Sequence, residues 1–426
     1  MEEQHRSVVV IGAGQAGLEV ASNLRTRGWA GPITVIGDEP DVPYQRPPLS
    51  KAFLKSGLDQ DVKDIVLRPL DWYERNGVDL RLGVRATSID RARGRVELSD
   101  GLNVFFDHLV LATGARNREL PISGAHLTGV HYLRTLPQAS KLVTALQTAR
   151  SVAVVGAGFI GLEVAAAAAA SGVAVNVFEA TERPMARAVS RPISDHFTAL
   201  HERHGVVIKT RTGVARLLSK GGRVTAVEST SGDVTQADLV VVGIGVLPED
   251  SVASAAGLVT SNGVVVDRCL RTTDPRIFAI GDCASFPRDD QLVRLESVQN
   301  AVDHARCVAA QITGTESSYE AVPWFWTEQY DAKLQIAGLI DGHQELVIRG
   351  DPESGSFSVF SFSAAGELLG VESVNQARDH MAARRLLAGP VSLTSEQARD
   401  PQTDLKDLSR SGMTRRERSG AAHTPA

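Results

Sequence analysis

Residues 8–19 read Val8-Val-Val-Ile-Gly-Ala-Gly-Gln-Ala-Gly-Leu-Glu19, and residues 152–163 read Val152-Ala-Val-Val-Gly-Ala-Gly-Phe-Ile-Gly-Leu-Glu163. In each, a β-branched apolar run closes on G-x-G-x-x-G and opens a helix-forming stretch, the strand, turn and helix of a dinucleotide-binding βαβ unit. One such turn is weak evidence, because any glycine-rich loop before a helix satisfies it. Here the pattern occurs twice, and both times a second strand ends near an acid: Asp38 or Glu39 after Ile33–Ile36, and Glu179 after Val175–Phe178. The chain is therefore expected to cradle two dinucleotides, one over Gly12, Gly14 and Gly17, the other over Gly156, Gly158 and Gly161.

The rest of the chain narrows this. At 426 residues it exceeds one ordinary core, so two or three domains are expected. A net charge of −5 with mixed signs gives no block suited to nucleic acid or a charged membrane. Residues 1–6 lack the basic and apolar regions of a signal peptide. The long apolar tract from Val152 to Phe178 is interrupted by glycines and Glu163, so it reads as a helix packed on a sheet. A soluble, cytoplasmic protein is the expectation. Cys269, Cys283 and Cys307 form no C-x-x-C or C-x4-C pair, which excludes an internal dithiol relay and a cysteine-based zinc site. His196, His201 and His204 fit no compact ligand set and read as a solvated helix face, so no metal is expected.

Between the glycine turns, Pro43-Tyr-Gln-Arg-Pro-Pro-Leu-Ser-Lys51 forms a stiff corner that carries Arg46 and Lys51, either to position charge or as a plain turn with exposed cations. Val84–Asp90 and Arg95–Gly101 read as a hairpin, and Phe106–Ala115 as a strand that exits through Ala112-Thr113-Gly114. The second unit repeats the plan, with a strand pair at Val206–Lys209 and Gly222–Ser229 and an exit through Leu239–Pro248, so an inserted domain is expected. Thr272–Cys283 is a buried strand ending in Gly-Asp, where Asp282 can bond hydroxyls or serve as a turn residue. A helix with its body at Ala301–Ile312 follows. From Trp324 the composition becomes aromatic and strand-rich, closed by a helix near Asp379–Leu387. Trp324 and Trp326 share one strand face, a spacing commonest in core filling. From Asp404 onward the polar, charged composition predicts disorder.

These parts in this order resemble the FAD-dependent pyridine nucleotide oxidoreductases of the ferredoxin reductase branch, over residues 1 to about 400. The specific marks are Tyr44–Lys51, Ala112–Ala115, Gly156–Glu163, Ile280–Cys283, Arg294–Asn300 and Pro323–Trp326. The resemblance implies an α/β fold of two Rossmann-like, glutathione-reductase-like domains, the second inserted in the first, plus a small C-terminal α+β interface domain. It divides the chain into an FAD domain (1–117 and 249–324), an NADH domain (118–248), an interface domain (325–403) and a disordered tail (404–426).

Carried over residue by residue, it implies FAD at Gly12, Gly14, Gly17, Asp38, Arg46, Lys51, Val84, Arg134, Asp282 and Val298, with Glu39, Ala112 and Thr113 as further candidates in the same site. NADH falls to Gly156, Gly158, Gly161 and Glu179, the reacting rings to Lys51 and Glu163, and the flavin's partner-facing side to Trp324 or Trp326. Independently, a carboxylate at Glu179 can accept from both ribose hydroxyls and repels a 2′-phosphate, so NADH is expected over NADPH, with Arg183 nearby satisfied by Glu182 or solvent. The implied activity passes electrons from NADH through FAD to a [2Fe-2S] ferredoxin feeding a cytochrome P450 or Rieske oxygenase. The alternatives are another acceptor (rubredoxin, a quinone, oxygen or a small organic radical) and a redox-switched binding flavoprotein of the apoptosis-inducing type.

Overall fold

The structure, a computed structural model, describes residues 6–56 and 62–410. The chain packs as two units. Among the described residues, the first comprises 6–48, 62–117 and 246–321; the second comprises 49–56, 118–245 and 322–410.

In the first unit, five parallel strands lie in the order Ile277–Ala279, His108–Leu111, Val8–Ile11, Ile33–Ile36, Val78–Arg81. Val8–Ile11 is central and buried along its length, as an all-parallel sheet covered on both faces requires. The helix Gln15–Thr26 covers one face together with Val298–Ile312, and both place apolar residues in the same core. Ala86–Asp90, Arg95–Leu98 and Asn103–Phe105 form an antiparallel meander. The hairpin expected at Val84–Gly101 thus begins two residues later and gains a third strand. Ala115–Asn117 and Val246–Pro248 pair as the antiparallel ribbon by which the chain leaves this unit and returns.

The second unit repeats the plan. Its parallel order is Val207–Lys209, Ala174–Phe178, Ser151–Val155, Leu239–Val242, Val130–Tyr132. The strand pair expected at 206–209 and 222–229 does not form. Val207–Lys209 joins the parallel sheet, while Arg223–Ser229 pairs with Val214–Lys220 and Val234–Gln236. Helix Phe159–Ala170 buries Leu162 through Ala168 without interruption. Its alanines have no bulk to hold neighbours away, and apart from Glu163 the buried run is apolar, as a helix covered on all sides requires.

The same unit holds a five-stranded antiparallel sheet, ordered Trp324–Gln329, Ala332–Gly338, Leu368–Val374, Ser356–Phe362, Glu345–Asp351. Helix Ala377–Ala388 packs its Ala382, Ala383 and Leu386 on one face around Phe360 and Phe362. The expected NADH and interface domains pack as one unit because buried polar bonds join them. Ser190 donates its amide to Glu372, and His201 bonds Gln329. The tail expected to be disordered from Asp404 instead continues as a helical turn at 405–410, with Leu405 buried against the same core; the remainder of that expectation, 411–426, lies outside the described residues. His201, expected on a solvated face, is fully buried. The 3.6-residue period turns it inward with Phe197 and Leu200, toward the polar face of the antiparallel sheet.

Candidate functional site

The first cradle is built by steric necessity. Gly12 has φ +114, and a Cβ there would stand 2.1 Å from the carbonyl oxygen of Ala112; one on Gly17 would stand 1.9 Å from that of Gly12. Gly14 meets nothing within 4 Å, so its missing side chain leaves space for a ligand rather than for packing. Helix Gln15–Thr26 starts at Gly14 with no side-chain cap, whereas Thr135, Ser297 and Thr394 cap three other helices. Uncapped amides at the positive end of a helix dipole suit an anionic pyrophosphate.

Around this turn the unit gathers the predicted side chains. Glu39 accepts from the Tyr44 hydroxyl at 2.6 Å and from Arg46 at 2.5 Å. Asp38 instead pairs at 2.9 Å with Arg85, both more than half exposed. Of the two acids left open by the sequence, Glu39 is therefore the one tied to the Arg46 corner. Burial pulls the Arg46 guanidinium down, but the attraction of Tyr44, Glu39 and Asp282 outweighs it and the pKa ends above its ordinary value. Asp282 sits in the short turn Gly281–Cys283, whose first amide donates to His304 Nδ1 at 3.1 Å and whose Asp282 carbonyl accepts from Arg294 at 3.1 Å. Val84 donates its amide to Gly37, Thr113 donates its hydroxyl to the Glu249 carbonyl, and Val298 opens a helix capped by Ser297. His304 gave no sequence signal, being one histidine on a helix.

The second cradle repeats the first. A Cβ on Gly156 (φ +100) would stand 2.5 Å from the Gly243 carbonyl oxygen, and one on Gly161 would stand 2.1 Å from that of Gly156. At Gly158 the nearest atom is 3.9 Å away, and helix Phe159–Ala170 again begins uncapped. Glu179 accepts from the Ala157 amide at 2.7 Å and from the Thr181 amide and hydroxyl at 2.8 Å each. These bonds fix the carboxylate beside the turn. Arg183, partly exposed, finds its protein partners elsewhere than Glu182. It donates to the carbonyls of Val189 and Ala186, while Glu182 takes Arg191 at 3.0 Å. A loop closing on its own carbonyls wins because carbonyl acceptors lie within six residues of the arginine.

Lys51 and Glu163 form a 2.7 Å ion pair, with side chains 17% and 2% exposed. Ser50 bonds the other carboxylate oxygen, and the Thr327 hydroxyl donates to Oε1 at 2.6 Å. Sequence reasoning missed Thr327 and Gln329, which bonds Thr327 in turn at 3.3 Å. Their only signal is that Thr327 and Gln329 alternate with the tryptophans along Trp324–Gln329 and so face the opposite side of that sheet. Trp324 and Trp326 lie 5.5 Å apart, with Arg384 stacked 4.7 Å over Trp324. Arg134 lies half-buried between strand Val130–Tyr132 and helix Leu136–Leu146. Lys51, Arg134 and both tryptophans thus belong to the second unit, while the other residues predicted for FAD belong to the first.

Two repeated cradles, each an open glycine, an uncapped helix and a fixed carboxylate, define a two-dinucleotide oxidoreductase. The chain belongs to the pyridine nucleotide-disulphide oxidoreductase family, whose model matches residues 6–305; a reductase C-terminal domain matches residues 324–409. It is 54% identical to rhodocoxin reductase of Rhodococcus erythropolis over 402 residues, covering 94% of this chain and 93% of that one. Among solved structures it resembles the ferredoxin reductase for the CYP199A2 system of Rhodopseudomonas palustris, with TM-score 0.93, 45% identity and coverage of 95% and 100%. The covalent putidaredoxin reductase–putidaredoxin complex matches with TM-score 0.92, 37% identity and coverage of 96% and 99%. Family members of this kind use FAD and NAD(P)H, and both cradles fit such groups. No helix among the described residues is long and apolar enough to cross a membrane.

Proposed function

We propose that the protein is an FAD-dependent NADH:ferredoxin reductase that supplies a [2Fe-2S] ferredoxin serving a cytochrome P450 or a Rieske oxygenase. The reading rests on the duplicated cradle, together with relatives named for reducing rhodocoxin and putidaredoxin and for a P450 system. Overall, one NADH and two oxidised ferredoxins give NAD+, a proton and two reduced ferredoxins. FAD, when bound, converts the two electrons of a hydride into single-electron transfers.

The chain's own residues supply binding, orientation and charge. Gly12, Gly14 and Gly17, with the amides of helix Gln15–Thr26, hold the FAD pyrophosphate; Glu39, Arg46 and Asp282 form the polar rim for its remaining groups. Ala112, Thr113, Val84 and Val298 line the same cradle by backbone or apolar contact. Gly156, Gly158 and Gly161 hold the NADH pyrophosphate. Glu179 has one lone-pair direction left beyond its three protein donors, enough for a ribose hydroxyl and hostile to a phosphate. Lys51 supplies positive charge for the reduced ring, aimed by Glu163. Arg134 adds a second cation, and Trp324 or Trp326 faces the partner. We infer a cytoplasmic location, where NADH and a soluble ferredoxin meet.

The test is direct. Purified protein should show a flavin spectrum that bleaches anaerobically with NADH much faster than with NADPH. Cytochrome c reduction should require added ferredoxin. Bleaching by NADPH alone would overturn the cofactor assignment, and ferredoxin-independent reduction of cytochrome c would overturn the acceptor.

A further inference from the structure

Four polar side chains from three segments of the second unit meet in a place closed to solvent. Glu163, Thr327, Gln329 and His201 are 3%, 0%, 1% and 0% exposed. Thr327 Oγ1 lies 2.6 Å from Glu163 Oε1, Gln329 Nε2 lies 3.3 Å from Thr327 Oγ1, and His201 Nε2 lies 2.8 Å from Gln329 Oε1. Buried polar groups are costly unless each donor meets an acceptor, so the direction of every bond can be worked out.

A carboxylate only accepts, so the single hydroxyl proton of Thr327 points at Glu163. Thr327 must then accept from the Gln329 amide, which turns the Gln329 carbonyl toward His201. His201 therefore carries its proton on Nε2, leaving Nδ1 to face the Tyr330 hydroxyl at 3.4 Å. Burial holds this imidazole neutral by moving its pKa down to about 4, which the hydrogen bond to Gln329 opposes only in part. Every link donates toward the carboxylate. Glu163 accepts from three donors, Ser50 at Oε2 and Lys51 together with Thr327 at Oε1. A chain of this polarity holds the carboxylate in one orientation.

We propose that Thr327 is a positioning residue for the Lys51–Glu163 pair, and that Gln329 and His201 fix the direction in which its hydroxyl points. The C-terminal sheet then has a second task besides presenting a partner surface: its first strand sets the aim of a charge used in electron uptake. This inference rests on the role given to Lys51 above, but its structural half, the hold on Lys51, is measurable without any turnover.

Thr327→Val removes the donor at nearly constant volume, Thr327→Ser restores it, and Gln329→Leu leaves the hydroxyl but removes what orients it. Two quantities are read on the full-length holoprotein. The first is the rate at which acetic anhydride labels the Lys51 amine, followed by peptide mass spectrometry. The second is anaerobic flavin reduction in the stopped flow across NADH concentration, which separates the limiting rate from the dissociation constant. Loss of one hydrogen bond to a charged group predicts a limiting rate roughly tenfold lower or more in Thr327→Val, and Lys51 labelling several-fold faster. The NADH dissociation constant should stay within about twofold, since uniform binding is untouched. Thr327→Ser should recover both quantities to within about threefold, and Gln329→Leu should fall between. Unchanged labelling and unchanged limiting rate in Thr327→Val would overturn the proposal, as would a Thr327→Ser protein as impaired as the valine variant. Should the valine variant not fold, wild-type behaviour of Gln329→Leu overturns it equally. Labelling remains decisive even if NADH fails to bleach the flavin, so failure of the functional reading is told apart from failure of this one.

Discussion

Replacing Glu372 with glutamine tests the packing of the second unit with a sign that can be worked out in advance. Glu372 is fully buried in the strand Leu368–Val374, and its Oε1 accepts the Ser190 amide at 2.9 Å. Burial raises its pKa from an ordinary 4.5 to about 7, opposed only in part by the hydrogen bonds from Ser190 and the charge of Arg183. Above about pH 7 the folded and unfolded states are both ionised, and the fold carries the whole cost of a buried carboxylate. Between 4.5 and 7 the folded state alone holds the proton, so stability rises as pH falls; below 4.5 the cost is gone. A raised pKa of this size corresponds to about 3 kcal/mol at most. Glutamine keeps the acceptor for Ser190 and cannot ionise. Glu372→Gln should therefore stabilise the protein by up to about 3 kcal/mol at pH 8 and by almost nothing near pH 4.5. The measurement is the difference in Tm, or in denaturant midpoint, between the two proteins from pH 5 to 8 at equal flavin loading. Buried histidines pull the absolute curves the other way: His201 and His380 are lowered to about 4 by burial, so each loses stability as pH falls below 6.5. They are common to both proteins and cancel in the difference. Parallel curves, or a variant less stable than the parent at pH 8, would refute the reasoning.

The other expectations are sharper in outcome. Gly17→Ala places a methyl 1.9 Å from the Gly12 carbonyl oxygen and should give a colourless protein, whereas Gly161→Ala, at 2.1 Å from the Gly156 oxygen, should stay yellow but resist bleaching by NADH; each overlap costs about 1–3 kcal/mol or more. Visible spectra before and after NADH check both. Glu179→Gln should lower the NADH over NADPH ratio of kcat/KM by at least roughly tenfold, because the charge that repels a 2′-phosphate is gone; an unchanged ratio would place discrimination elsewhere. Lys51→Met leaves the Glu163 carboxylate buried without its cation and should destabilise the protein by about 3–5 kcal/mol, with Lys51→Met/Glu163→Gln recovering most of it in denaturant titrations.

Much of the architecture was readable because it repeats local rules. The glycine turns at Gly12 and Gly156 are legible since G-x-G-x-x-G is a contiguous pattern whose backbone demand is met only by glycine. The two parallel sheets follow, as each β-branched run next to such a turn must be a central strand covered on both faces. Elements that depend on a remote neighbour were less legible. The segment 206–209 reads as one of a strand pair with 222–229, yet the edge of strand Ala174–Phe178 captures it. The segment 405–410 reads as tail, yet Leu405 finds an apolar surface on the C-terminal core.

The site divides along the same line. Sequence alone determined which residue types line each cradle, and that an acid closes each second strand, because these are spaced along one stretch of chain. It left Asp38 and Glu39 side by side, since adjacent residues differ only in which way they point; the fold pairs Glu39 with Arg46 and Asp38 with Arg85. Nor could it reveal that Thr327 bonds Glu163 with Gln329 and His201 behind it, or that His201 is buried at all. The strand that carries Thr327 and Gln329 lies more than a hundred positions from both Glu163 and His201, and only tertiary packing, by excluding water from their meeting point, makes each one's hydrogen bond obligatory and so gives it a role.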